Sequence, residues 1–170
     1  LEVLLSDGGP GIAENLLHPS MKPQRCQWHG KREFPYFLYA DGFKKAEQQA
    51  LVEKLQAVPV MTLVQADVEK LRPQDRPLVE QIVEKTQQGF AQLLQALDPQ
   101  RYPRARTYIE HLMAPVTTFL KHWLATGEVI PLTTNAIENA FSQVNNRIKR
   151  VGRRWSETGL LNWLKVTFYK

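Results

Sequence analysis

The chain has 170 residues, 43% hydrophobic and 23% charged, which is enough for one ordinary domain with a sizeable core, or for a domain carrying an insertion. Its single cysteine, Cys26, excludes an intrachain disulfide framework and fits a reducing compartment. No apolar run approaches the roughly 20 residues that span a bilayer, and the N-terminus lacks the basic start of a signal peptide, so the expectation is a cytoplasmic or nucleoid-associated protein with no membrane partner. Net charge is +5 with an isoelectric point near 9.4. The excess is uneven: Arg147, Lys149, Arg150, Arg153 and Arg154 crowd into eight residues. Such clustering points to a polyanionic partner better than the total does.

Residues 1–6, with Val3 and three leucines, read as a short buried strand that ends at Asp7, where "SDGGPG" turns the chain. A short helix over "IAENLLH" is expected next, then a second strand over "KPQRCQWH". Gly30 then leads into the aromatic helix "KREFPYFLYADG". This β-turn-α-β-α run is typical of an α/β layer. The chain begins with Leu1 rather than Met, and a lone buried strand at that end needs sheet partners which the rest of the sequence hardly offers. The expectation is therefore a fragment.

From Phe43 to about Gly127 the pattern is helical. "FKKAEQQALVEKLQAV" places Phe43, Ala46, Ala50, Leu51 and Leu55 on one face, and "DRPLVEQIVEKTQQGFAQLLQAL" continues with Leu78, Ile82, Phe90, Leu93 and Leu97, interrupted at Gly89. "RTYIEHLMAPVTTFLKHWLATG" adds Ile109, Leu112, Val116, Leu120 and Trp123, with a kink expected at Pro115. These three or four helices predict a bundle-like insertion without chemistry of its own. "EVIPLTTN" is an extended link to a helix whose buried stripe would be Ile137, Phe141, Val144, Ile148 and Val151, stopped by Gly152. A last helix, "SETGLLNWLKVTFYK", brings Leu160, Leu161, Trp163 and Leu164. The expected organisation is 1–42, a helical insertion at 43–130, and C-terminal helices at 131–170.

Asp7 stands where a buried strand gives way to a Gly-rich turn, the place where α/β folds hold ligands. It would equally suit a cap or an ordered turn. Glu138, with Asn135 as N-cap, fits the N3 position of a capping box. Helical spacing also aligns Asn135, Glu138, Ser142, Asn145 and Lys149 on one polar face. A carboxylate flanked by amides and cations suits a metal-and-phosphate site. Cys26 and His29 have the C-x-x-H spacing of half a zinc site, but there is no second cysteine, and His18, His111 and His122 are scattered. A structural role is expected, with Cys26 in the core and His29 bonded to backbone. The basic run is either a solvated helix end or a nucleic-acid contact. Trp155, Asn145 and Asn146 add groups that stack on or hydrogen-bond to nucleic acid.

Two of these stretches together resemble a known family. "SDGGPGIAENLLHPSMKPQRCQWHGKREF" is similar to the second-aspartate block of DDE transposases of the Mutator-type insertion-sequence group, and "TTNAIENAFSQVNNRIKRVGRRW" to their third block, an Asn-x-x-Glu helix followed by cations. The blocks follow the family's order, with Asp7 and Glu138 separated by 131 positions (138 minus 7) and a helical insertion between them. The resemblance spans nearly the whole chain. It implies a mostly helical α/β fold, a truncated RNase H-like domain with an all-α insertion. Asp7 would be the second aspartate and Glu138 the glutamate of a triad that binds two divalent metals, Mg²⁺ or Mn²⁺, for DNA strand cleavage and transfer. Cys26 and His29 would be the family's C-x-x-H pair. Asn135 and Asn145 would support Glu138, and Arg147, Lys149, Arg150, Arg153 and Arg154 would neutralise DNA phosphates. Transposon ends and target DNA are the implied partners, with a homo-oligomer in the full-length protein. The first aspartate would precede Asp7, and Asp41, Asp67, Asp75 and Asp98 fall in or beside helices. The implied state of this chain by itself is therefore inactive. The competing reading is a non-catalytic, mostly helical nucleic-acid-binding or interaction protein in which Glu138 only caps a helix; a different RNase H-like nuclease is a third.

Overall fold

A computed structural model describes residues 2–9, 11–151 and 156–168. The chain divides into two compact units, Leu1–Thr134 and Asn135–Lys170. The first contains β1 (Val3–Ser6), α1 (Ile12–Leu16), β2 (Lys22–Arg25), α2 (Gln27–Ala40), α3 (Lys45–Gln56), α4 (Pro59–Thr62), α5 (Gln65–Glu69), α6 (Arg76–Ala96), α7 (Pro103–Met113) and α8 (Thr118–Thr126). The second contains α9 (Asn135–Val151) and α10 (Glu157–Phe168). The fold is α/β and mostly helical, and no helix among the described residues is long and apolar enough to cross a membrane.

β1 and β2 form a two-stranded parallel sheet in the register Val3↔Lys22, Leu4↔Pro23, Leu5↔Gln24 and Ser6↔Arg25. The second strand is shorter than the sequence suggests. It stops at Arg25, and Gln27, Trp28 and His29 already belong to α2, whose first turn is closed by Gly30 N–H donating to the Cys26 carbonyl at 2.9 Å. Gly30 therefore lies inside the helix rather than ahead of it. A Cβ there would stand 3.0 Å from Leu112 Cδ1, so the glycine sets how closely α7 approaches α2. The polar strand "KPQR" is held by α8: Thr118 Oγ1 donates to the Pro23 carbonyl at 2.7 Å and Phe119 N–H donates to Gln24 Oε1 at 2.7 Å. The fully buried Gln24 amide is thus satisfied, as burial of a polar group requires.

Phe34 and Leu38 of α2, Leu51 and Leu55 of α3, Phe90 and Leu93 of α6, Ile109 and Leu112 of α7, and Phe119 and Leu120 of α8 belong to one buried cluster. Helix α2 of the β-α-β-α start and the helices after it thus share a core, each large apolar side chain contributing roughly 1.5–3 kcal/mol. Some expected faces are rotated. In α3, Ala46 and Ala50 are exposed and Gln48 is buried instead, its amide donating to the Phe43 carbonyl. In α6, Leu78 is exposed while its neighbour Val79 is fully buried, and the helix runs through Gly89 without a break. Pro115 interrupts rather than kinks: α7 ends at Met113, a 3₁₀ turn covers Pro115–Thr117, and α8 starts at Thr118.

In the second unit, two residues of the expected buried stripe of α9 are exposed, Ile137 at 51% and Phe141 at 65%, and Val144 is half-buried. The sequence period fixes which residues share a face but not what that face packs against. The side chains of Ile148 and Val151 lie outside the described set, as does Gly152.

Candidate functional site

Asp7 follows β1 directly. Its Oδ1 accepts the Gly9 N–H at 2.8 Å, an Asx turn of the kind that Asp and Gly together favour. Gly8, between them, has φ of +81°, a left-handed conformation open to glycine without strain. Glycine is needed there for a second reason. A Cβ on residue 8 would land 0.7 Å from Arg25 Nη1, because the Arg25 guanidinium lies over the turn.

Arg25 is the last residue of β2, and its Nη2 reaches Glu33 Oε2 at 2.5 Å, both side chains being largely buried. The Tyr108 hydroxyl donates to the Gly30 carbonyl at 2.9 Å. Burial raises the Tyr108 pKa to about 12, the Glu33 charge adding to the shift and Arg25 opposing it. The Tyr108 ring stacks on Phe37 with centroids 4.3 Å apart. Gly8, Arg25, Glu33, Tyr108 and His111 thereby line a concavity of about 240 Å³ beside the Asp7 turn. Sequence reasoning picked out Asp7 but missed Arg25, Glu33 and Tyr108. The expected strand ran on through His29, so only the structure puts Arg25 at a strand's carboxyl end beside the Asp7 turn.

Cys26 and His29 meet, with the His29 Nδ1 3.2 Å from the Cys26 Sγ, and both are buried. The sulfur also accepts from the Thr134 N–H at 3.4 Å and hydroxyl at 3.5 Å. The neighbouring backbone continues the same corner: Cys26 N–H donates to the Ser6 carbonyl at 2.8 Å and Gln27 N–H to the Leu132 carbonyl at 3.0 Å. The C-x-x-H pair therefore fastens the end of β1, immediately before Asp7, and the link 132–134 to the start of α2. Trp28 sits edge-on to His29.

The other histidines are not part of this corner. His18 Nδ1 pairs with Ser20 Oγ at 2.8 Å, and His111 lines the concavity. Among the described residues the ring nitrogens of the buried His122 have no hydrogen-bond partner; Glu128 Oε2 stands 3.6 Å from Nε2, within ion-pair reach but too far for a hydrogen bond.

The remaining aspartates hold helix starts and turns. Asp41 accepts the Arg104 and Ala105 N–H groups at 3.1 and 2.8 Å, capping α7 from 63 and 64 residues away. Asp67 accepts from Val64 N–H, Asp75 from Arg72 N–H, and Asp98 from Gln100 and Arg101 N–H. Each carboxylate satisfies orphan donors of the kind every helix start exposes.

Glu138 lies in the first turn of α9 and is exposed. The helix begins at Asn135, so that residue is already helical, one position further in than the N-cap role expected of it; helix starts are defined only to about a residue. Ser142 and Asn145 are exposed on the same helix. Arg147, Lys149 and Arg150 continue it in backbone, their side chains lying outside the described set, and Arg153, Arg154 and Trp155 lie outside the described residues. Asp7 belongs to the first unit and Glu138 to the second. Among the described residues, no group of three or more His, Cys, Asp or Glu side chains is placed to hold a metal ion. Comparison with models of known protein families, with curated proteins and with solved structures finds no match.

Proposed function

We propose that this chain is the C-terminal part of a DDE transposase catalytic domain of RNase H-like type, acting on DNA by metal-dependent strand cleavage and strand transfer. The observation that carries the reading is the Asp7 turn. A carboxylate stands at the carboxyl end of a parallel strand, with one oxygen, Oδ1, engaged by Gly9 N–H. That leaves Oδ2 as a hard oxygen donor of the kind Mg²⁺ and Mn²⁺ take. Glu138, on the first turn of α9, is the second carboxylate in this reading. Bound divalent cations would supply the charge that stabilises the attacking and leaving oxygens of an in-line displacement at phosphorus.

The chain's own residues have separate tasks. Asp7 and Glu138 hold metal, and Asn135 and Asn145 flank Glu138. The cationic run Arg147, Lys149, Arg150, Arg153 and Arg154 neutralises the phosphates of transposon ends and target. In the same reading Cys26 and His29 serve by fixing the strand end from which Asp7 projects, and the complete protein acts as a homo-oligomer on nucleoid DNA in the cytoplasm.

Mn²⁺ titration followed by NMR tests the shared metal site. The amides of Gly8 and Gly9 and those of Ile137 to Asn139 should broaden together, and Asp7→Asn should abolish both effects. Broadening confined to one group, or surviving Asp7→Asn, rejects a common site. That result would favour the alternative that the first-turn position of Glu138 allows, a non-catalytic nucleic-acid-binding protein.

A further inference from the structure

α2 is amphipathic in an unusual way: its inner side carries Phe34 and Leu38 into the core, and its outer side is aromatic as well. Trp28, Tyr36 and Tyr39 are 43%, 66% and 72% exposed. At separations of eight and three residues they follow one side of the helix. Arg32 falls between them and lies over the Trp28 ring, its guanidinium carbon 4.4 Å from the centroid. Among the described residues, neither Tyr36 nor Tyr39 has a ring or hydroxyl partner.

Beside this stripe runs a groove between α2 and α3. It consists of two concavities of about 490 and 570 Å³ that share Pro35 and Val52. Lys31 and Arg32 line the first, Lys44 and Lys45 the second, and no carboxylate lines either. The nearby acids are occupied: Glu33 pairs with Arg25, Glu47 accepts the Lys44 N–H, and Glu53 accepts from the Gln49 amide. Trp28 to Tyr39 covers about 16 Å along the helix axis at ~1.5 Å per residue, about the rise of five stacked bases at ~3.4 Å each.

We infer that the outer face of α2 and its groove with α3 bind an unpaired nucleic-acid strand, with bases stacking on Tyr36, Tyr39 and the Arg32–Trp28 pair and phosphates meeting Lys44 and Lys45. Exposed rings beside cations, in a groove lined by no carboxylate, form the combination that holds single strands regardless of sequence. A duplex keeps its base faces stacked inside and offers this surface phosphates alone. The site goes beyond the proposed strand chemistry and needs neither Asp7 nor Glu138.

Fluorescence anisotropy with labelled oligothymidylate, and separately with a labelled duplex, decides it. Tyr36→Ala with Tyr39→Ala should weaken single-strand binding about tenfold or more per ring while leaving duplex affinity and the salt slope unchanged. Tyr36→Phe with Tyr39→Phe should restore it, since the stacking face is kept. Lys44→Ala with Lys45→Ala should reduce the single-strand salt slope by about 1.4. Thermal unfolding of each variant verifies the fold, all four side chains being exposed. Unchanged oligothymidylate affinity in the tyrosine-to-alanine variant overturns the proposal, as does no binding by the wild type, an equal loss for duplex, or no rescue by phenylalanine. Loss of duplex binding in Arg150→Ala, Arg153→Ala, Arg154→Ala, with single-strand binding by α2 retained, would separate this face from the basic run.

Discussion

The two carboxylates singled out by their sequence context stand in very different surroundings. Asp7 leaves a strand end that is fastened on several sides: Gly9 N–H holds its Oδ1, Cys26 N–H holds Ser6, and the Arg25 guanidinium lies across Gly8. Glu138 is exposed on the first turn of a helix in the other unit, where the apolar side chains Ile137 and Phe141 are exposed as well. A functional carboxylate works best when its supporting shell fixes it. The contrast teaches that the first unit builds such a shell around a half-buried carboxylate from its own residues, whereas Glu138 stands exposed on a helix's first turn.

The sharpest way to break this contrast is to remove the brace. Arg25→Ala leaves the partly buried Glu33 without its cation. It should cost about 2–3 kcal/mol, less than the full loss of a deeply buried pair because Glu33 keeps some solvent. Urea denaturation measures it, and a midpoint within experimental error of wild type would mean that Arg25 does not brace the turn.

A similar magnitude is expected from Tyr108, but only in alkali. The pKa of its phenol is about 12 in the fold against an ordinary 10. Below pH 10 both folded and unfolded chains keep the proton. Between pH 10 and 12 the unfolded chain has released it and the folded chain has not, so stability falls as pH rises, by roughly 2–3 kcal/mol across the window. Tyr108→Phe should lack this part of the alkaline loss when unfolding is followed from pH 9 to 12. Equal pH slopes for the two proteins would show that Tyr108 titrates normally.

The smallest effect belongs to Glu138. Glu138→Gln, at an exposed position, should change stability by no more than about 0.5 kcal/mol. A loss above about 1 kcal/mol in the same urea assay would reveal a structural role and erase the contrast with Asp7.

Much of the architecture was legible from local pattern. The strand ending at Asp7, the short helix after the glycines, and the helical run beyond Phe43 all follow from turn residues and a 3.6-residue period. The limits are equally local. "CQWH" reads as strand because it is short and mixed, yet it starts α2, since the Gly30 N–H finds the Cys26 carbonyl. Leu78 and Val79 are neighbours with interchangeable chemistry, so periodicity could not tell which one meets the core. For the candidate site, the sequence pointed to Asp7 and the C-x-x-H pair. Arg25, Glu33 and Tyr108 were out of its reach, because their meeting depends on β2, α2 and α7 coming together.

By itself the sequence determined which residues could be helix, strand and turn, that Asp7 would close a strand, and that cations would gather near the C-terminal end of the chain, because these depend on neighbours within a few positions. Only the tertiary structure decided that Asp41 would cap a helix 63 residues on, that Gly8 would make room for a guanidinium, and that the aromatic residues of α2 would split between a core and an open cationic groove. Those depend on distances between segments remote in the chain, which no local pattern encodes.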